Sequence, residues 1–147
     1  LQMSPTIIDN MKTEHADKSP SFDKKTNTGL THLLNATRFS LAGLKSAFKH
    51  ESAFRQELMA FGFLVPTGAY LASSLGQVVG LLSACCFVLS VELLNSGIEA
   101  AIDRIGTEHH ELSKLAKDYG SAAVMMSLIM VGIVWAYIVF ESLSIGQ

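Results

Sequence analysis

Charge is what this 147-residue chain lacks over long stretches. None falls between Glu57 and Glu92, and after Asp118 there is only Glu141. Charged residues make up 16%, against about 25% in a typical soluble domain, while hydrophobic residues reach 49% and mean hydropathy is +0.34. A soluble domain spreads charge over every surface element, so the pattern argues against one. Cysteine is nearly absent too. Cys85 and Cys86 are adjacent in an apolar run, which excludes a disulfide scaffold and suits neighbouring packing residues. A basic excess is missing: the net charge is −2, which makes a nucleic-acid partner a poor fit. No G-x-x-x-x-G-K loop occurs, so a backbone phosphate cradle of that kind is excluded. What remains is a small all-α integral membrane protein.

Crossing a bilayer core of about 30 Å takes roughly 20 mostly apolar residues. Three segments meet that need: 58–75, with Pro66 inside it and predicted to kink it, 78–102, and 121–140, with Trp135 and Tyr137 near its far end. Their connection at Ser73–Gln77 is tight. All 11 lysines and arginines lie at or before Arg55 or between Arg104 and Lys117. With three spans those regions share one side, and the positive-inside rule places them, with the N-terminus, in the cytoplasm. Ahead of the spans, 30–49 repeats Leu30, Leu34, Leu41, Leu44 and Phe48 at helical spacing, with Arg38, Lys45 and Lys49 on another face. That is the pattern of an amphipathic helix lying in the membrane interface. Residues 1–27 are polar and aperiodic and read as a mobile tail, leaving 28–147 as the membrane domain.

The second span carries acids where lipid tolerates them least. Insertion scales credit its twelve Leu, Ile, Val and Phe residues with roughly −4 to −7 kcal/mol. Glu92 and Glu99 together cost roughly +5 to +7 kcal/mol on the same scale. The helix therefore needs partners to cover its polar side. Glu92, Asn95, Glu99 and Asp103 stand at i, i+3, i+7 and i+11, which a 3.6-residue period stacks into one stripe. At 1.5 Å per residue Glu92 lies about 10 Å deeper than Glu99, so the stripe leads from the cytoplasmic surface into the lipid. Further acids, Glu51 and Glu57, precede the first span. The central loop adds Glu108, His109, His110, Glu111, Lys117 and Asp118. Carboxylates beside cations suit Mg²⁺ carrying phosphates, since Mg²⁺ takes one or two carboxylates plus substrate oxygens. From spacing alone, a proton relay and structural pairing between helices stay open as well. Asp103–Arg104 can also be read as a helix-end ion pair, Glu57 as a cap on the first span, and His109–His110 as solvated loop residues.

The run VELLNSGIEAAIDRIGTEHHELSKLAKDYGSAAV (91–124) resembles the prokaryotic diacylglycerol kinase family, and GLKSAFKHESAFRQE (43–57) matches upstream at the family's distance. The E-x-x-N-[ST]-x-x-E-x-x-x-D-R pattern is specific to that family and its undecaprenol-kinase relatives, and the likeness spans roughly 28–140. The resemblance implies a surface helix and three membrane helices per chain, a homotrimeric bundle in the bacterial inner membrane, and transfer of the γ-phosphoryl of ATP, with Mg²⁺, to diacylglycerol. By motif it implies Glu92 as base, supported by Asn95, and Glu51 and Glu99 as metal ligands. Nucleotide contacts fall on Glu51, Glu99, Glu108, His109, His110, Lys117 and Asp118. His32 and Phe39 stand where the family has an arginine and a tyrosine at the nucleotide. The lipid region falls on Ser40, Lys45, Phe54, Arg55, Gln56, Glu57, Glu92 and Ser121. Undecaprenol kinase, and more remotely a small proton-coupled exporter, are the alternatives.

Overall fold

The computed structural model describes residues 29–106 and 108–145, and all regular structure among them is helical. Four helices follow one another: α1 (Leu30–His50), α2 (Ser52–Leu71), α3 (Leu75–Ile105) and α4 (Glu111–Ile145). The proposed tail, residues 1–27, lies outside the described residues. The described residues divide into two units, with the boundary inside α1 after Ser40. In the first, Gly29 opens α1 at φ 62°, a left-handed conformation that a side chain would strain, and its carbonyl accepts from Leu33 N–H at 3.3 Å. α1 ends one residue beyond the predicted 49.

The second unit is a bundle of α2, α3 and α4, with α3 and α4 packed most extensively. Its core is legible as a seven-residue rhythm. α2 buries Phe54, Phe61 and Gly68; α3 buries Gln77, Leu81, Ala84, Val88, Glu92 and Asn95, with Cys85 buried beside Ala84; α4 buries Gly120, Ser127, Val131 and Ile138. Steps of three, four and seven keep one seam facing its neighbours, as in left-handed helix packing. Leu81, Val88 and Ile138 are fully enclosed. A Cβ on Gly68 would overlap the Leu81 side chain, so glycine there lets α2 approach α3 closely. Outside the seam, large apolar side chains such as Phe63, Tyr70, Leu94 and Ile133 are exposed, as lipid-facing or subunit-facing residues should be.

Two helices, α3 and α4, are long and apolar enough to cross a membrane. α2 falls short of that measure, so two of the three predicted spans are supported by length and composition. Its boundaries also differ: it starts at Ser52 rather than 58 and stops at Leu71 rather than 75. The early start brings Arg55, Gln56 and Glu57 into its first two turns and dilutes its hydropathy. Pro66 sits inside the helix. The stop has a local cause at Ser73–Ser74. The Ser74 hydroxyl accepts from Gln77 N–H at 3.4 Å, and the Gln77 side chain reaches back to accept from Ser73 N–H at 2.7 Å. This reciprocal cap starts α3. Gln77 Nε2 then donates to Glu141 Oε2 at 2.6 Å, tying the same turn to the far end of α4.

Candidate active site

The polar stripe on α3 faces into the bundle at its deep end and into water at the other. Glu92 is 4% exposed and Asn95 8%, whereas the Asp103 side chain is 66% exposed. Between them, Asn95 Nδ2 donates to Glu99 Oε1 at 3.1 Å, which fixes the Glu99 carboxylate from one turn below. Asn95 Oδ1 is buried without a partner. Across from it stands Gly120 of α4, where a Cβ would overlap Asn95 Oδ1 and lie 3.2 Å from Asn95 Cγ. A glycine at 120 is therefore a requirement of the asparagine, and sequence reasoning did not single it out. The available signal was a glycine at the start of a span, in helical register with Ser127.

The charges of Glu99 and Glu51 reach Glu92, and that of Glu92 reaches Glu57, without the four carboxylates coming into contact as a cluster. Glu51 caps the start of α2 by position but makes no side-chain cap bond, which leaves its carboxylate available. Glu57 Oε2 is buried with no partner, and Glu57 stands in the second turn of α2, whose cap position is held by Glu51. It lines a groove of about 470 Å³ with Gln56, Leu128, Val131 and Trp135. Among the described residues no three carboxylates, histidines or cysteines come together as a ready-made metal centre. The donor set instead offers two carboxylates, Glu51 and Glu99, with one Glu99 oxygen free of the Asn95 bond. That is the sparse arrangement a phosphate-borne Mg²⁺ accepts.

At the exposed end, five residues singled out for nucleotide contact line one cleft of about 450 Å³ together with Asp103: Glu108, His109 and His110 from the loop, and Lys117 and Asp118, expected in that loop, from the first turns of α4. Lys117 Nζ donates to Asp103 Oδ1 at 2.6 Å, so Asp103 pairs with α4 across the loop rather than with Arg104. His110 Nδ1 accepts from Leu112 N–H at 3.2 Å and thereby caps α4. His109 Nε2 stands 3.5 Å from Glu111 Oε1 in the exposed loop.

Residues expected at the lipid region are placed less uniformly. Gln56, Ser121 and Lys45 are exposed, while Phe54 is buried in the seam. Arg55 Nη1 donates to the carbonyls of Phe48 and Lys49, both at 3.2 Å, and so closes the C-terminus of α1. His32, Phe39 and Ser40 lie on the part of α1 in the first unit.

A helical membrane protein with a buried acid on a polar stripe that ends at a charged surface cleft is an enzyme-like arrangement rather than a structural bundle. The chain belongs to the prokaryotic diacylglycerol kinase family, whose model matches residues 38–139, and it is an enzyme. It is 51% identical over 113 residues to a diacylglycerol kinase of Haemophilus influenzae, covering 77% of this chain and 96% of that protein. Over 114 residues it is 46% identical to the Pseudomonas aeruginosa diacylglycerol kinase and 43% to that of Escherichia coli, covering 78% of this chain and 93% of each relative.

Proposed function

We propose that the chain transfers the γ-phosphoryl group of ATP to the hydroxyl of diacylglycerol, forming phosphatidic acid at the cytoplasmic face of the bacterial inner membrane. The observation that carries this reading is the α3 stripe: a buried acid, Glu92, on the same helix face as the hydrogen-bonded Asn95 and Glu99 and, farther along, Asp103, which lines an open cleft with Lys117 and Asp118. A lipid hydroxyl arrives from the bilayer side, and a polyphosphate arrives from water.

Phosphoryl transfer proceeds through a loose transition state, so positioning and charge stabilisation do most of the work. Glu92 takes the proton of the attacking hydroxyl as its oxygen bonds to phosphorus and the bond to the ADP oxygen breaks. Its burial keeps water away from that oxygen, which favours the lipid over hydrolysis. Asn95 holds Glu99 in place from below. Glu51 and Glu99 would hold Mg²⁺, which neutralises phosphate charge when bound. Lys117, released from Asp103, offers its ammonium to the phosphates, with Glu108, His109, His110 and Asp118 around the nucleotide. Gln56 and Glu57, on the 470 Å³ groove beside Trp135, face the glycerol end of the lipid. The apolar exposure of the bundle, and the cost of Glu92 and Glu99 in lipid, support assembly with partner chains, and the resemblance to the family implies a homotrimer.

The test is phosphate transfer from labelled MgATP in detergent micelles offered short-chain diacylglycerol beside undecaprenol. Labelling of diacylglycerol alone is the expected result. Labelling of undecaprenol alone keeps the mechanism and changes the lipid, and labelling of neither by a folded oligomer overturns the reading.

A further inference from the structure

The 450 Å³ cleft contains a second lysine. Lys114, one turn before Asp118 on α4, lines it beside Lys117, and Lys114 Nζ sits 2.6 Å from Asp118 Oδ2. Lys114 and Lys117 stand at i and i+3, so two ammonium groups share one helix face, an arrangement that repels unless anions lie between them. Here two carboxylates do that, each tethering one lysine at 2.6 Å: Asp118 for Lys114 and Asp103 for Lys117. The lysine side chains are 58% and 39% exposed, and pairs this open are cheaply exchanged for another anion. The cleft also needs both cations. Its carboxylates are Asp103, Glu108 and Asp118, so with Lys117 alone a polyphosphate would meet an excess of two negative charges. The start of α4, a 35-residue helix, adds its positive dipole end nearby.

We infer that Lys114 is a second cationic contact for the nucleotide polyphosphate, exchanging Asp118 for phosphate when the nucleotide enters. The inference rests on the functional reading above. Lys114→Gln should weaken MgATP by about three- to tenfold, seen both as a higher KM and as a higher Kd in a direct binding titration. Its kcat should stay within about twofold, and Lys114→Arg should restore the affinity. The loss should shrink as salt is raised. Unchanged MgATP affinity in Lys114→Gln overturns the inference and leaves the kinase reading intact. So does an equal loss in the Gln and Arg variants accompanied by a lower melting temperature, which would mark a structural role. A wild-type protein that binds MgATP more tightly than Lys114→Gln but phosphorylates neither lipid would overturn the kinase reading and keep this inference. A wild type that binds no MgATP removes both.

Discussion

The two ends of the α3 stripe treat their charges in opposite ways. At the deep end Glu92 and Asn95 are buried, Asn95 Oδ1 and, on α2, Glu57 Oε2 have no partner, and among the described residues neither Glu92 nor Glu57 is in an ion pair. At the surface end every carboxylate–lysine pair is formed, Lys117 with Asp103 and Lys114 with Asp118, and all four groups are substantially exposed. Buried polar groups left unsatisfied cost the fold free energy, whereas exposed pairs contribute little. The deep end therefore keeps its polar groups at the expense of stability, and the surface end can rearrange around a ligand at small cost. The same helix carries both because its polar residues share one face and differ only in depth.

That contrast can be broken most sharply at its deepest residue. Glu92→Gln should lower kcat by at least about 100-fold while MgATP binding is retained. Near-normal turnover in that variant would remove the proposed base. Next in size is the packing that shelters Asn95. Gly120→Val drives a side chain into Asn95 and should cost about 1–3 kcal/mol in unfolding free energy, read as a lower melting temperature in detergent. A stable Gly120→Val with full activity would show that the deep end is looser than its burial implies.

Arg55→Ala removes two hydrogen bonds to the last carbonyls of α1 and should cost about 1 kcal/mol. Faster amide exchange confined to the end of α1 would check it, and loss of lipid affinity with unchanged exchange would return Arg55 to the substrate. The smallest effect belongs to the surface end. Asp103→Asn breaks the pair with Lys117 yet should change stability by less than about 1 kcal/mol, and by less still at high salt. A larger loss would mean that the two ends are energetically alike.

Much of this architecture could be read from the order of residues. The apolar runs located the membrane-length parts of α3 and α4, since only helices satisfy a backbone inside lipid. However, α3 extends three residues beyond the predicted 78–102 at each end, and α4 begins at Glu111, ten residues before the predicted 121, so that Lys117 and Asp118 lie on a helix rather than in a loop. The amphipathic repeat located α1 to within a residue. The spacing Glu92–Asn95–Glu99–Asp103 placed those groups on one helix face because helical period is a local property. The turn before α3 was legible as a tight connection at Ser73–Gln77, but its hydrogen bonds were not: the Ser74–Gln77 cap is local, while the Gln77 bond to Glu141 needs the far end of α4 beside it.

Other features depended on which helices lie side by side. The pairing of Asp103 with Lys117 instead of the adjacent Arg104 follows from the antiparallel return of α4 across a short loop. The use of Arg55 to close α1 follows from the bend at Glu51. The need for glycine at 120 follows from Asn95 meeting α4 there. The sequence by itself determined the helices, the membrane class and the face on which the acids lie, because periodicity and the cost of burying charge act along one chain segment. Only the tertiary structure decided which acid is sealed, which is paired and which lines the cleft, because burial and hydrogen bonding depend on the neighbour across the interface.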